Sequence, residues 1–279
     1  MNTASTASPA SPPDRTAPGD GPRRRPNPRR IEVLSIQTLS PRMVRITFTG
    51  PDMHAFGWNG PAGHLKLIVP ADGSHEAALP EPDGPRSANM RTYTPRRFDA
   101  ASAQLDIDFV LHDHGPAGRW ATRARVGDQL VVMGPAPGYQ IDPEAAWFLL
   151  AGDDTALPAI ETILAELPAQ VQAKVLVEVV DMKEARALSS AAKVEVQWLP
   201  RGDNPQRAGE ALEAALRTVV LPTAGAGRVY VGCEAAAMRR VRSVLVNDRG
   251  IDRGTVVTRG YWKLGNANHP DRDFGDDAP

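Results

Sequence analysis

Hydrophobic and polar residues alternate over short stretches in the first half of the chain. The stretches IEVLSIQTLS, MVRITFTG, HLKLIVP, RTYTPRRF, LDIDFVLH and DQLVVMGP are rich in Val, Ile, Leu and Thr, and Gly, Pro or Asp separates them. Such segments are typical of β-strands bounded by turns. With one short helix at PAGRWATRAR, they predict a six-stranded antiparallel barrel over residues 31–142.

A different pattern begins after PAPGYQIDPEAA. Continuous apolar runs such as WFLLAG and AKVLVEVVD alternate with helical stretches such as AGEALEAALRTVV. Apolar strands separated by helices predict a parallel sheet that is covered on both faces. The fold class is therefore an all-β barrel followed by α/β, with a doubly wound nucleotide-binding domain over residues 143–268.

Both ends of the chain lie outside these patterns. Residues 1–30 are rich in Pro, Ser, Ala and Thr and end in GPRRRPNPRR, which predicts a disordered tail rather than the alternative, a nucleic-acid-binding arm. Residues 269–279 predict a flexible acidic tail.

The composition predicts a cytoplasmic globular protein. The 279 residues are 42% hydrophobic, with a mean hydropathy of -0.32 and a formal net charge of -1. No apolar run reaches the roughly 18 residues of a membrane span, no signal peptide is present, and the charge gives no nucleic-acid signature.

Cysteine usage restricts the redox chemistry. Cys233 is the single cysteine, which excludes a disulfide framework and an iron–sulfur cluster held by this chain alone. His112, Asp113 and His114 are adjacent, so on a strand end they face opposite ways and predict no metal site. Redox chemistry would therefore need an organic cofactor.

The stretch RTYT combines a cation with a flat ring. In a strand, Arg91 and Tyr93 share one face, while Thr92 and Thr94 share the other. Arginine can pair with phosphate and tyrosine can stack on an isoalloxazine, although a purely structural strand is the alternative.

A phosphate group could bind at three turns of the predicted fold. Gly115, Pro116 and Ala117 carry little bulk where a helix is predicted to begin, so a diphosphate could reach its N-terminus. LLAGDDTALPA and YVGCEAAAM place small-residue turns at the carboxyl ends of strands. Neither is a G-x-G-x-x-G or P-loop motif, so ordinary βα turns remain the alternative.

Taken in this order, the chain resembles the siderophore-interacting proteins, the ferric-siderophore reductases of the ferredoxin reductase superfamily. The resemblance runs from Ile31 to Asn268 and is carried by RTYTPR, VLHDHGPAGRWA, GDDTALPAI, GCEAAAMRRVR and GYWKLG. It implies an enzyme that passes electrons from NADPH or NADH through FAD to a ferric siderophore, releasing iron(II).

The resemblance also implies roles for individual residues. Arg91 would pair with the flavin phosphate, and the catalytic candidates Tyr93 and Thr94 would lie against the isoalloxazine and near its redox-active nitrogen. The other implied contacts to FAD or the nicotinamide nucleotide are Thr92, Asp108, Val110, His112, Pro116, Ala117, Gly118, Trp120, Asp154 and Thr155. The candidate cations for an anionic chelate are Arg96, Arg97, Arg259 and Lys263, each with a solvated surface charge as the alternative.

Some residues depart from the family pattern. Cys233 stands where glycine is more usual, and Leu264 replaces a second basic residue beside Lys263. Lys183 and Arg186 could favour NADPH, but acidic neighbours oppose them, so the preference for NADPH comes from the family. Two other functions stay open: a flavin reductase that exchanges electrons with a protein such as ferredoxin, and a redox-inactive siderophore-binding module.

Overall fold

The first half of the chain forms an antiparallel barrel in a computed structural model that describes residues 27–81, 84–269 and 273–274. Within these residues its seven strands have the order β4-β3-β7-β1-β2-β6-β5. They are β1 (Arg29–Ser40), β2 (Met43–Thr49), β3 (His64–Ile68), β4 (Met90–Tyr93), β5 (Pro95–Asp99), β6 (Gln104–Val110) and β7 (Gln129–Ala136).

The stretch RTYTPRRF is two strands rather than the one predicted. β4 pairs with β3 and β5 pairs with β6, at opposite ends of the sheet order, and Thr94 alone connects them. Pro95 lacks an N–H for a ladder hydrogen bond and restricts the backbone of the residue before it. The strand count therefore rises from the predicted six to seven, and the two edges of the sheet meet at Thr94.

The predicted helix of this half is α1 (Gly115–Arg123), which closes the barrel core. Trp120 is 1% exposed, and its ring packs against Phe48 and Phe109 with centroids 6.4 and 5.5 Å away. The buried indole fixes α1 against β6, which sets the position of the helix N-terminus.

The second half has the predicted parallel sheet, in the order β10-β9-β8-β11-β12. Its strands are β8 (Ala145–Asp153), β9 (Gln172–Val179), β10 (Lys193–Pro200), β11 (Ala226–Glu234) and β12 (Val256–Trp262), and its helices are α2 (Leu157–Glu166), α3 (Glu210–Thr218) and α4 (Ala235–Ser243). Helix α2 packs on one face of the sheet, and α3 and α4 pack on the other. The order reverses between β8 and β11, where sheets of this kind bind ligands.

The outer strand β10 exposes every second residue. Lys193, Glu195 and Gln197 are exposed, whereas Trp198 is half-buried against the core beneath α2.

Packing between the halves joins the barrel to α2. Met43 of β2 is 2% exposed within the core beneath α2, and Val110 packs there as well. The Ala62 N–H donates to the Thr162 hydroxyl of α2 at 2.8 Å, and the Ser40 hydroxyl donates to the Glu184 carboxylate. The halves are therefore held by apolar and polar contacts together.

The predicted start of the barrel can be compared with the first strand of the structure. Arg29 and Arg30 already belong to β1, so the barrel begins slightly earlier than the predicted residue 31. The rest of the predicted N-terminal tail, residues 1–26, and most of the predicted C-terminal tail lie outside the described residues.

Among the helices in the described ranges, none is long and apolar enough to cross a lipid bilayer.

Candidate functional site

The bend at Thr94 lies beside an aromatic edge of the barrel core. Thr94 is 9% exposed, and Tyr93 immediately before it packs on Phe109 with ring centroids 4.5 Å apart. Burial raises the pKa of the Tyr93 phenol far above its ordinary value, so the ring is neutral. The bend therefore presents a flat, uncharged ring next to a hydroxyl.

Arg91 lies on the same face of β4 as Tyr93, as alternation predicts. In register they oppose Leu67 and Leu65, both of which are buried in the barrel core. The Arg91 guanidinium donates to the Ala88 and Met90 carbonyl oxygens at 2.8 and 2.7 Å. Within the described residues, no carboxylate forms an ion pair with it.

A second guanidinium stands close to Arg91. Burial, reinforced by the neighbouring charge of Arg119 on α1, lowers the pKa of Arg91. Arg119 itself pairs with the exposed carboxylate of Asp72 at 3.1 Å. Two cations held near each other favour an anion between them.

The N-terminus of α1 provides further donors. His114 stands at the N-cap without a side-chain cap, so the N–H groups of Gly115 and Ala117 are not satisfied by a capping side chain, and Pro116 between them has no N–H. A Cβ on Gly118 would lie 2.5 Å from the His112 ring, so only glycine allows this approach. Desolvation lowers the pKa of His112, which leaves the ring neutral at pH 7. Free N–H groups and two guanidiniums fit the diphosphate of a flavin dinucleotide.

Four predicted FAD contacts have side chains that are engaged elsewhere. Trp120 is buried in the barrel core, and Val110 packs beneath α2. Asp108 is 3% exposed and accepts two hydrogen bonds from Arg45 at 2.7 and 2.8 Å. Thr92 accepts a hydrogen bond from Lys66 at 2.6 Å, on the face opposite Arg91.

The packing of β6 explains why two of these side chains are engaged elsewhere. Ile107 and Phe109 of β6 point into the barrel, so alternation turns Asp108 and Val110 outward against the second half. Contact between FAD and these residues, through backbone or side chain, stays a prediction.

The carboxyl ends of β8 and β11 approach each other closely. Gly152 pairs with Gly232, and a Cβ on Gly152 would lie 2.3 Å from the Gly232 carbonyl oxygen. Cys233 is 1% exposed and packs into the core beneath α3 and α4. The Cys233 side chain is therefore part of that core, although glycine is more usual at this position in the family.

Buried acids line the turn after β8. Asp153 accepts hydrogen bonds from the Trp262 indole at 2.8 Å and from the Thr155 hydroxyl at 2.5 Å. Asp154 lies 3.8 Å from Arg201, and burial together with the Asp153 charge raises its pKa to about 7. Burial raises the pKa of Asp153 as well, so both carboxyls of this turn resist ionisation. The nucleotide-binding role of Asp154 and Thr155 stays a prediction.

A pair of tyrosines connects this edge to the barrel. The hydroxyl groups of Tyr230 on β11 and Tyr261 on β12 are 2.7 Å apart. Burial raises the pKa of Tyr261, and the neighbouring Tyr230 and Thr94 hydroxyl groups partly oppose that rise. The Tyr261 ring covers Gly232, where an added Cβ would lie 3.2 Å from it.

Sequence reasoning assigned no site role to Tyr261 or Arg119. GYWKLG marked the family resemblance, but nothing in the sequence indicated that Tyr261 reaches the barrel. For Arg119 a signal existed, because a residue one turn after Gly115 shares the N-terminal face of the helix.

The four predicted chelate cations do not lie together. Arg96 points into the interface, where Glu161 of α2 lies 3.4 Å away. Exposed Arg97 lies 3.5 Å from Asp106. Arg259 stacks over the Phe274 ring at 4.4 Å, near the tyrosine pair, and Lys263 is exposed after β12. Their substrate roles stay predictions.

Two models of known protein families match this chain. Residues 32–139 match the model of the siderophore-interacting FAD-binding domain, and residues 145–265 match that of the siderophore-interacting protein. The ferric vibriobactin reductase ViuB of Vibrio cholerae is 32% identical over 247 residues, covering 85% of this chain and 90% of that protein.

Two further relatives agree. The NADPH-dependent ferric-chelate reductase of Escherichia coli K12 is 29% identical over 204 residues, covering 70% of this chain and 77% of that protein. A siderophore utilization protein from T. fusca, known from a crystal structure, superposes with a TM-score of 0.79 and 37% identity, covering 88% of this chain and 96% of that one.

Proposed function

Because the chain belongs to the siderophore-interacting protein family, we propose that it is a flavin-dependent oxidoreductase that passes electrons from NAD(P)H through FAD to a ferric siderophore. Iron(II) is the product that leaves the chelate. The names of the relatives support this activity, since both curated ones are ferric reductases.

One observation carries the flavin part of the proposal: Arg91, whose pKa the charge of Arg119 on α1 helps to lower, has two backbone carbonyl partners and no carboxylate partner within the described residues, and the N-terminus of α1 has no capping side chain. These donors would hold the diphosphate, while Tyr93 and Thr94 at the adjoining bend would hold the ring system. Bound FAD would supply the conversion of a two-electron hydride into single electrons for ferric iron.

The chelate needs cations from the protein rather than iron ligands. Iron in a ferric siderophore is already coordinated by the chelate, so electrons can pass without a bond between protein and metal. Arg97, Arg259 and Lys263 are proposed to attract an anionic chelate to the flavin. Arg96 is held by Glu161 and is less suited to this role.

NADPH is the proposed electron donor, and the cytoplasm, where it is available, is the proposed location. Lys183 is exposed beyond β9 and could face a 2′-phosphate, whereas Arg186 pairs with Glu161 at 3.2 Å. Exchange of electrons with a ferredoxin stays a prediction.

The visible spectrum of the purified protein tests the proposal. We expect flavin absorption bands that bleach anaerobically with NADPH and return when a ferric siderophore is added. A colourless protein that cannot be reconstituted with FAD would eliminate the function. A flavoprotein whose reduced form does not react with any ferric siderophore would eliminate the substrate.

A further inference from the structure

The chain at the end of β12 is held by side chains from two neighbouring strands. A register shift between Cys233 and Glu234 of β11 leaves Tyr261 as an extra residue in β12. Such a bulge turns the residues that follow it and marks the end of regular pairing. Residues 262–264, called the end segment below, come directly after this bulge.

Asp153, the last residue of β8, anchors the beginning of the end segment. The Trp262 indole donates to Asp153 Oδ2 at 2.8 Å, and the Glu234 N–H donates to the same oxygen at 3.1 Å. Oδ1 accepts from the N–H and the hydroxyl of Thr155 at 3.0 and 2.5 Å. Asp153 is 4% exposed, so a buried carboxyl joins the carboxyl ends of β8, β11 and β12.

Glu234, the last residue of β11, anchors the other end of the end segment. Its Oε1 accepts from the Leu264 N–H at 3.2 Å, and its Oε2 accepts from the Ala237 N–H at 2.8 Å. The second hydrogen bond caps α4, so the carboxylate is fixed to the start of that helix. Glu234 is 5% exposed, and the end segment is therefore tied to α4 through a buried group.

Lys263 lies between the two anchors. Its carbonyl oxygen accepts from the Asn266 N–H at 3.0 Å, which closes a turn, whereas its side chain is exposed. In the part of the chain that the structure describes, no carboxylate forms an ion pair with its ammonium group. The backbone of Lys263 is therefore fixed while its charge stays available, at the edge of the sheet where ligands bind.

We propose that Asp153 and Glu234 are positioning residues, which hold Lys263 in place for the negatively charged groups of a ferric chelate. The inference rests on the proposed function and deepens it, because it names the residues that organise the substrate side. One exposed charge attracts an anion only weakly, and ordering a mobile segment would cancel that attraction. Fixing the backbone in advance leaves only the lysine side chain to be ordered.

The rate at which a ferric chelate reoxidises the NADPH-reduced protein tests the inference. Ferric EDTA is the anionic probe, and uncharged ferric tris(acetohydroxamate) is the reference. Lys263→Gln should slow reoxidation by ferric EDTA about two- to fivefold, as expected for one solvent-exposed charge pair, and leave the reference rate unchanged. The difference between this variant and the wild type should disappear at high salt, which screens exposed charges.

Trp262→Phe removes the donor to Asp153 but keeps an aromatic ring and Lys263. It should slow reoxidation by ferric EDTA about twofold, with the reference rate and the KM for NADPH unchanged. Adding it to Lys263→Gln should give no further loss, because the anchor then has no charge to position. Trp58→Phe is the matched control, since the Trp58 indole also donates to a carboxylate, that of Glu166 at 3.3 Å, and both rates should stay unchanged.

A Trp262→Phe variant that keeps the wild-type rates, that loses rate equally with both probes, or that adds to the loss in Lys263→Gln would overturn the positioning role. If Trp262→Phe does not fold, Glu234→Gln decides the question by the same comparison, because it replaces one of the two acceptor oxygens with a donor.

Failure of this inference can be distinguished from failure of the proposed function. A Lys263→Gln variant with unchanged rates overturns the inference and leaves the function intact. A wild-type protein that binds no FAD, or whose reduced form reacts with neither chelate, overturns the function and the inference together.

Discussion

At the scale of single residues, the proposed flavin site depends on the charge of Arg91, which has no carboxylate partner within the described residues. Arg91 is oriented by two backbone carbonyl oxygens and lies near Arg119, a like charge. Since like charges at short range repel, this arrangement is relieved when an anion binds. The same side chains that repel each other would therefore supply affinity for a phosphate.

Replacing Arg91 with alanine should separate binding of the phosphates from binding of the ring. We expect Arg91→Ala to weaken FAD affinity by about 10- to 100-fold, because a hydrogen bond to a charged group contributes about 1.5–3 kcal/mol. Riboflavin, which has no phosphate, should bind to the variant almost as it does to the wild type. Fluorescence titration with both ligands gives the measurement.

Arg125→Ala is the control, since Arg125 is exposed just beyond the end of α1. It should leave both affinities unchanged. An equal loss of FAD and riboflavin affinity in Arg91→Ala would show that Arg91 supports the fold of the site rather than the phosphate.

Asp154 should make stability depend on pH. Its pKa is raised from 3.8 to about 7, chiefly by burial, so the folded protein binds more protons than the unfolded chain between these values. The free energy of unfolding therefore falls as the pH rises through that window. Asp154→Asn should be about 1–3 kcal/mol more stable than the wild type at about pH 8, with little difference at about pH 4.

Urea unfolding at both pH values measures this difference. Asp52→Asn, at an exposed turn of the barrel, is the control and should follow the wild type at both. If the free energies of unfolding of the wild type and of Asp154→Asn differed by the same amount at both pH values, Asp154 would be ionised in the folded protein at both.

Sequence patterns predicted the site only in part. Alternation correctly placed Arg91 and Tyr93 on one face of β4, because their register partners are core leucines. The family resemblance assigned Asp108 and Val110 to FAD; Asp108 accepts from Arg45 and Val110 packs beneath α2, and their role toward FAD stays a prediction. Tyr261 reaches Thr94 only through tertiary packing, which no local pattern records.

At the scale of elements, α1 depends on one glycine. Gly118 lies against the His112 ring and the His112 carbonyl oxygen, which a Cβ would approach to 2.5 and 2.6 Å. A helix elsewhere would gain about 1 kcal/mol from alanine in place of glycine. Here the added methyl group has no room, so the usual preference is reversed.

We expect Gly118→Ala to destabilise the protein by about 1–3 kcal/mol, the typical cost of overpacking. Chemical denaturation followed by tryptophan fluorescence measures it. Thr122→Ala, at an exposed position of the same helix, should change stability by less than about 0.5 kcal/mol. A stabilised Gly118→Ala protein would show that His112 moves away from the helix at little cost.

The strand pattern was predicted well except at Thr94. Val, Ile, Leu and Thr marked the strands, and continuous apolar runs correctly indicated the parallel sheet. The division of RTYTPRRF depends on where the backbone turns, and Pro95 permits that turn without requiring it. The pairing of β4 with β3 and of β5 with β6 is set by the arrangement of the whole barrel and not by this stretch alone.

At the scale of the whole molecule, a buried carboxylate joins the two halves. The Glu161 side chain is 8% exposed and lies 3.4 Å from Arg96 of the barrel and 3.2 Å from Arg186. Both arginines are only partly solvated, so they depend on this one negative charge. The interface is therefore sensitive to its removal.

Glu161→Gln should lower the free energy of unfolding by about 2–4 kcal/mol, because it leaves two guanidiniums without their shared counter-charge. Glu166→Gln on the same helix is the control, since that side chain is exposed and accepts a hydrogen bond from the Trp58 indole at 3.3 Å. Urea unfolding of both variants compares them. Equal stability would mean that solvent already screens the Glu161 pairs.

The outer strand of the parallel sheet affects how copies of the protein behave at high concentration. β10 has unpaired backbone groups along one side, which could template strand addition by another copy. Lys193 and Glu195 make such a contact costly to desolvate, and Pro200 at its end cannot donate a backbone hydrogen bond. This charged edge protects against aggregation, so neutralising Lys193 and Glu195 would promote it.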